Sequence, residues 1–249
     1  PKTGGTFFRE NILVQIEKDL NAIGVSTNPP SNGGESEVSE TETFHWCWYK
    51  PFITEKTYIY TSLRDPVQRL ISQYAWQASR AVFYGRTNYK YDDVNKENFY
   101  KWLDAYYDTY KNFQSKNLIF FDNDRDLYRE SVHLGWADGD VPKINSFLFQ
   151  EKFTNYKIDK SELKTNINRI NLIVKSEMLR KTDFQEKVVN RLCFDLNINN
   201  IYKIGNTYGN NNTHSFELYK KFSDLEKNKL YEYLNIDSEI YFSNIYSDL

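Results

Sequence analysis

The segment from Lys56 to Tyr74 constrains the fold most, because the spacing of its apolar residues changes at one point. Its first part, KTYIYTSL, is rich in β-branched and aromatic residues and predicts a strand over Lys56–Leu63. Asp65 and Pro66 follow, a residue type favoured at helix N-caps and one favoured at the first helical position. The sequence therefore predicts a strand that passes through Arg64 directly into a helix.

The predicted helix runs to about Val82, with Gln68 placed like the far partner of a capping box. Its buried stripe consists of Val67, Leu70, Ile71 and Tyr74. The opposite side, which we expect to be open, carries Gln68, Arg69, Ser72 and Trp76.

Arg64 and Ser72 are eight residues apart, about two helical turns. An arginine at a strand end and a hydroxyl on the next helix can bind one phosphate together. The alternative is a surface pair of Arg64 with Asp65 and a solvated Ser72.

The first six residues, Pro1-Lys2-Thr3-Gly4-Gly5-Thr6, precede a predicted amphipathic helix over Thr6–Asn21. Glycines let the backbone curl closely around a ligand, and a helix start offers free N–H groups to an anion. In this string the lysine precedes the glycines, unlike the usual ATPase loop. The pattern indicates a phosphate loop, with an ordinary turn as the alternative.

The remaining pattern alternates strands with helices. Asn171–Lys175 (NLIVK) predicts a short strand of a parallel sheet. Predicted helices cover Asn95–Phe113, Thr182–Leu196 and Ser215–Leu234. This order predicts an α/β fold with helices on both faces of a parallel sheet, and one domain over residues 1–249. Because a strand normally leads into a phosphate loop, we also expect a first strand upstream of Pro1.

Composition and charge disfavour several classes of protein. The net charge of −2 argues against a general nucleic-acid binder. No apolar run is long enough to cross a bilayer, and no signal peptide is visible. Two cysteines, Cys47 and Cys193, are too few for a disulfide scaffold and form no CxxC zinc motif. The alternating Asp122, Asp124 and Asp126 lack the glycine and glutamate of a calcium loop.

Together, the PKTGGT string and the LRDPVQRLISQY string resemble the PAPS-dependent sulfotransferases (PAPS is 3'-phosphoadenosine 5'-phosphosulfate). The likeness is closest to the Golgi-type carbohydrate O-sulfotransferases, similar to the heparan sulfate 2-O and 6-O enzymes. It implies a P-loop nucleotide-kinase-like, three-layer fold with a central parallel sheet. It also implies transfer of a sulfuryl group from PAPS to an acceptor hydroxyl, without a metal ion.

The resemblance assigns donor-binding roles to residues of both motifs. It implies that the 5'-phosphosulfate is held by Lys2, Thr3, Gly4, Gly5 and Thr6. Lys2 would also neutralise charge on the bridging oxygen during transfer. Arg64 and Ser72 would bind the 3'-phosphate, which stays on the product, adenosine 3',5'-bisphosphate. The adenine would lie near Lys175-Ser176-Glu177 or the 202–212 loop, where Asn206 and Thr207 are candidates for a closing segment.

A histidine is suited to take the proton of the acceptor hydroxyl near neutral pH. His45, in the aromatic string FHWCW before the Arg64 strand, is the residue that the resemblance favours as general base. A packing role among aromatics is the alternative for His45, and Glu42 is the reserve base. His133 and His214 lie in predicted loops.

The acceptor is a carbohydrate or a small hydroxylated molecule, and the sequence leaves these open. Trp76 and Arg80 are candidate acceptor contacts on the Arg64 helix. The alternatives are a sulfotransferase for a small metabolite or lipid, and a nucleotide kinase or non-catalytic nucleotide-binding module. The cysteine count fits a reducing compartment, whereas animal relatives of this family are Golgi lumenal. The expected location is cytoplasmic for a bacterial or viral protein and the Golgi lumen for a eukaryotic one.

Overall fold

A computed structural model describes residues 58–83, 93–118, 155, 157–199 and 213–246. The strands in these ranges are β1 (Tyr60–Leu63) and β2 (Leu172–Lys175). The helices there are α1 (Pro66–Phe83), α2 (Lys96–Ala105), α3 (Tyr107–Tyr110), α4 (Phe113–Leu118), α5 (Lys160–Ile167), α6 (Thr182–Asp195), α7 (Thr213–Lys220), α8 (Asp224–Tyr233) and α9 (Asn235–Phe242). A 3-10 helix over Met178–Arg180 follows β2.

The two strands pair in parallel, from Tyr60 opposite Leu172 to Leu63 opposite Lys175. The amide of Ser176 extends the pairing by donating to the carbonyl of Leu63 at 2.8 Å. The described part is thus a mixture of helices and strands with a parallel two-stranded sheet, which is compatible with the predicted α/β class. Both predicted strands are confirmed. β1 covers the second half of the predicted Lys56–Leu63 strand, whose first two residues lie outside the described ranges, and β2 begins one residue later than predicted.

Helix α1 begins at Pro66, as the sequence predicts. The Asp65 carboxylate caps it by accepting the Gln68 amide at 2.8 Å. The other half of the predicted capping box does not form, because the Asp65 amide donates to Glu177 Oε1 at 2.7 Å. Glu177 follows β2, so this contact joins the ends of both strands.

The predicted helix over Asn95–Phe113 is wrong as one element, because it divides into α2, α3 and the start of α4. Asn112 has φ of 51°, in the left-handed region that asparagine tolerates better than most residues. A left-handed residue cannot continue a right-handed helix, so the chain turns there and α4 starts at a new angle.

The predicted helix over Ser215–Leu234 is also interrupted. Ser223 ends the link after α7 and starts α8 with a capping box, in which its hydroxyl accepts the Glu226 amide. A serine followed three residues later by a glutamate is a pattern that indicates a helix start. The regular spacing of apolar residues across Ser223 favoured one continuous helix instead.

Helix α1 forms the centre of the larger core. Its predicted stripe of Val67, Leu70, Ile71 and Tyr74 has no exposed surface. Helices α2, α7, α8 and α9 all pack against α1. A second cluster lies against the sheet, where the buried side chains of β2 meet α6. Leu63, at the carboxyl end of β1, belongs to a third cluster with residues of α4, α5 and α9.

The starts of α4 and α9 cap one another through buried side chains. Asn112 Oδ1 accepts the amides of Ile236 and Asp237 at 3.0 and 3.3 Å. In return, the Asp237 carboxylate accepts the amides of Gln114 and Ser115 at 3.1 and 2.7 Å, and the Ser115 hydroxyl at 2.5 Å. We refer to this arrangement as the crossed caps. It satisfies N–H groups that each helix start leaves without an intrahelical partner.

We expect Asn112→Ala to lower the unfolding free energy by about 3 kcal/mol. The amides of Ile236 and Asp237 lose their acceptor, and alanine tolerates the positive φ at this position less well than asparagine does. Asn112→Gly keeps the backbone conformation and should lose about 1 kcal/mol less. Urea unfolding of both variants measures the difference. Equal losses would show that the positive φ is not a constraint on this residue.

Lys116 of α4 is a buried lysine, only 5% exposed, whose ammonium donates to the Asp108 carbonyl at 2.9 Å. Burial lowers the pKa of Lys116 to about 8, although Asp108 and Asp237 oppose this effect. Below about pH 8 this lysine is protonated in both the folded and unfolded states. Above that pH the folded state gives up the proton before the unfolded state does, so the unfolding free energy must rise with pH.

This rise should amount to about 2 kcal/mol between pH 8 and pH 10. Lys116→Met should flatten it, whereas Lys101→Met, at an exposed lysine on α2, should not. Urea unfolding at several pH values measures all three slopes. Since burial raises the pKa of several tyrosines, the comparison should stop at pH 10. An unchanged slope in Lys116→Met would contradict the assignment.

Candidate functional site

Arg64 directly follows β1 and therefore lies at the carboxyl edge of the parallel sheet. Open α/β sheets bind ligands at this edge. The residue is half-buried, and burial lowers the pKa of its guanidinium. Glu177 opposes this shift, whereas the like charge of Arg180 adds to it. Because arginine keeps its proton in proteins, the site holds a partly desolvated positive charge.

Each oxygen of the Asp65 carboxylate, beside Arg64, accepts a hydrogen bond from within the protein. One oxygen caps α1 through the Gln68 amide, and the other accepts the Tyr231 hydroxyl at 2.6 Å. Burial, and then the hydrogen bond to Asp65, raise the pKa of Tyr231. The phenol therefore stays protonated and donates, and Asp65 serves as a link between α1 and α8.

Glu177 is the second carboxylate at this edge. Its Oε1 accepts the Asp65 amide, and its Oε2 accepts the Tyr241 hydroxyl at 3.2 Å. The Lys175 ammonium lies 4.8 Å from the centre of the Tyr241 ring and 4.6 Å from that of Tyr246. The predicted adenine-binding turn, Lys175-Ser176-Glu177, thus lies beside Arg64, with Tyr241 of α9 and Tyr246 after it packed against Lys175.

The predicted open face of α1 is wrong for Arg69 and Ser72, which are 0% and 5% exposed. The physical reason is that other helices surround α1, so polar residues on its second side are also covered. Ser72 nevertheless lies on the helix that directly follows Arg64. A serine hydroxyl can donate to an anion oxygen.

Trp76 and Arg80, the predicted acceptor contacts, lie within α1, but their side chains are outside the described part. The predicted phosphate loop of Lys2, Thr3, Gly4, Gly5 and Thr6 also lies outside the described residues, as do His45, Glu42, Asn206 and Thr207. The structure therefore places Arg64 and Ser72 on one strand–helix unit, and the other assignments remain predictions.

Sequence reasoning missed several residues that bond to the Arg64 backbone or to the residues next to it. These are Gln114, Tyr231, Asp237 and Tyr241, which approach from helices more than 45 positions away along the chain. Local spacing carries no signal for such contacts. Glu177 belongs to the predicted turn after β2, and this position places it at the same sheet edge as Arg64.

In the part of the chain that the structure describes, no three His, Cys, Asp or Glu side chains are grouped to hold a metal ion. In those same ranges, no helix combines the length and apolarity needed to span a membrane. Comparison with protein-family models, curated proteins and solved structures finds no match. The function must therefore be argued from the two motifs and from the surroundings of Arg64.

Asp65→Ala should lower the unfolding free energy by about 3 kcal/mol, because it removes the α1 cap and leaves the Tyr231 hydroxyl without its acceptor. Asp65→Asn keeps the N-cap oxygen and turns its NH2 group toward Tyr231, whose hydroxyl can accept that hydrogen bond instead of donating one, so the loss should stay near 1 kcal/mol. Thermal or urea unfolding distinguishes the two. If Asp65→Asn lowers the unfolding free energy as much as Asp65→Ala does, the negative charge of Asp65 contributes more to stability than its hydrogen bonds.

Proposed function

We propose that this chain is a PAPS-dependent sulfotransferase, in which Arg64 and Ser72 bind the 3'-phosphate of the donor. The observation that carries the proposal is the half-buried Arg64 at the carboxyl edge of the sheet, immediately before α1. A divalent phosphate would offset the desolvated charge of Arg64, and the Ser72 hydroxyl could donate to a further oxygen. The donor set present at this strand–helix unit fits a phosphate.

Two neighbouring features support an anion at this position. The carboxylates of Asp65 and Glu177 have their oxygens occupied by backbone and tyrosine donors, so they are committed within the protein. Arg180 adds a second positive charge near Arg64. The charges of Glu177 and Asp65 partly offset those of the two arginines, and the arginines supply N–H groups of the kind that an anion needs.

The proposed reaction is a single in-line transfer. The acceptor oxygen forms a bond to sulfur, while the bond from sulfur to the 5'-phosphate oxygen breaks and releases adenosine 3',5'-bisphosphate. His45 takes the acceptor proton, and Lys2 offsets the charge that develops on the leaving oxygen. We further propose that the acceptor hydroxyl belongs to a carbohydrate, with Trp76 and Arg80 as contacts on α1.

The proposal extends to the fold. A P-loop nucleotide-kinase-like arrangement would continue the β1–β2 sheet with further parallel strands and would place the 1–6 loop at the same carboxyl edge. The parallel pairing of β1 with β2 and the strand-to-helix passage through Arg64 support this extension.

The decisive test is calorimetric titration with adenosine 3',5'-bisphosphate, without metal, on the wild type and on Arg64→Ala. Loss of charge-assisted hydrogen bonds to the 3'-phosphate should weaken binding by about 30-fold or more. Arg191→Ala is the matched control, because Arg191 pairs with Asp195 near Tyr58, beyond the amino end of β1. This control should bind like the wild type.

A parallel titration with ATP and magnesium addresses the alternative class. A nucleotide kinase should bind ATP with magnesium and be indifferent to the 3'-phosphate. If the wild type behaves in that way, the sulfotransferase proposal is wrong. If bisphosphate binds tightly but Arg64→Ala has no effect, the donor site lies elsewhere on the chain.

A further inference from the structure

The Gln114 side chain makes two hydrogen bonds to the backbone of one residue, Arg64. The Arg64 amide donates to Gln114 Oε1 at 3.0 Å, and Gln114 Nε2 donates to the Arg64 carbonyl at 2.9 Å. A primary amide has both a donor and an acceptor, so it can satisfy a residue's N–H and C=O together. Gln114 is itself buried, at 7% exposed, which protects both bonds from water.

These bonds occur where the sheet stops. The last strand pair is Leu63 opposite Lys175, and Arg64 lies one position beyond it. Within the described ranges no strand pairs with Arg64. Gln114 bonds to both peptide groups of Arg64 and so restrains the direction in which the side chain leaves the backbone.

Gln114 is in turn fixed by the crossed caps. Its own amide donates to Asp237 Oδ2, and the next residue, Ser115, donates to Oδ1 from its amide and hydroxyl. Three bonds from adjacent residues hold the first turn of α4 against the start of α9. The Gln114 side chain therefore leaves a rigid backbone, as precise positioning of a binding group requires.

A buried arginine balances the charge at this junction. Arg69 is 0% exposed and its guanidinium nitrogens have no hydrogen-bond partner within the described ranges. Its guanidinium carbon lies 4.6 Å from the centre of the Phe113 ring. Burial raises the pKa of Asp237, and the positive charge of Arg69 opposes that rise. Arg69 thus favours the ionised Asp237 that accepts the α4 amides.

We propose that Gln114 is a positioning residue that aims Arg64 at the 3'-phosphate of an adenosine nucleotide. The inference rests on the proposed function, because it assumes that Arg64 binds this phosphate. Gln114 does not contact the ligand in this account; it acts through the backbone of Arg64. Its substitution should therefore reduce the contribution of the 3'-phosphate to binding and spare the rest of the nucleotide.

The experiment compares two probes, adenosine 3',5'-bisphosphate and adenosine 5'-phosphate, by calorimetry on the same protein preparations. The dissociation constant for adenosine 5'-phosphate, divided by that for adenosine 3',5'-bisphosphate, measures how much the 3'-phosphate contributes to binding. Gln114→Met keeps the side-chain length but removes both hydrogen bonds. We expect it to reduce the ratio about tenfold while the affinity for adenosine 5'-phosphate stays within about twofold, since one tenfold step corresponds to about 1.4 kcal/mol.

Two further variants distinguish a loss of Arg64 positioning from a general loss of stability. Gln114→Asn keeps the amide but is one methylene shorter, so it cannot reach both Arg64 groups and should also reduce the ratio. Asn166→Leu is the matched control, because Asn166 is a buried amide that donates to the Leu118 carbonyl at the other end of α4 from Gln114. It should lower the melting temperature and leave the ratio unchanged.

The outcomes separate the two proposals. If the wild type does not prefer the bisphosphate, the proposed function fails before the role of Gln114 is reached. If the wild type prefers the bisphosphate and folded Gln114→Met keeps the full ratio, the positioning role is overturned. An equal reduction in Asn166→Leu would also overturn it, because the effect would then follow stability. A reduction confined to the Gln114 variants supports the inference.

Discussion

Reciprocal capping between the starts of α4 and α9 is the interaction on which the rest of the structure depends. Asn112 accepts two amides of α9, and Asp237 accepts two amides of α4. Each helix start thus supplies the acceptor that the other requires. Because the two capping side chains are buried, water cannot easily replace either of them.

A short series of hydrogen bonds connects the crossed caps to the edge of the sheet. The crossed caps fix α4, Gln114 of α4 fixes the backbone of Arg64, and Glu177 after β2 fixes the amide of Asp65. Arg64 is therefore held from α4, and its neighbour Asp65 from β2. Such a position suits a group that must meet a ligand in one orientation, since pre-organisation reduces the entropy lost on binding.

The same junction contains charged groups that are costly to bury. Arg69 and Asp237 are both almost fully buried, and Arg69 lacks hydrogen bonds within the described ranges. Replacing such a pair by apolar residues often leaves stability unchanged or raises it, so stability alone is a poor reason for their presence. Asp237 does hold the first turn of α4 through three hydrogen bonds, and the positive charge of Arg69 favours the ionised carboxylate that accepts them.

The strand before Arg64, the start of α1 at Pro66 and the apolar stripe of α1 were predictable from sequence, because each is set by residues that are close together in the chain. The β2 strand and α6 were predictable for the same reason. The breaks at Asn112 and Ser223 were not, since helical periodicity continued across both.

The contacts of the candidate site were harder to predict than its elements. Gln114 lies 50 positions from Arg64, and Tyr231 lies 166 positions from Asp65. No spacing rule joins residues at such separations. The burial of Ser72 was also missed, because a polar side of a helix predicts solvent only when no other helix packs over it.

The most direct test of the central claim is an experimental structure of the chain with adenosine 3',5'-bisphosphate. The account predicts that the 3'-phosphate lies within hydrogen-bond distance of the Arg64 guanidinium and the Ser72 hydroxyl, with both Gln114 bonds to the Arg64 backbone intact. A 3'-phosphate bound away from Arg64, or one bound while Arg64 points to another surface, would contradict the account.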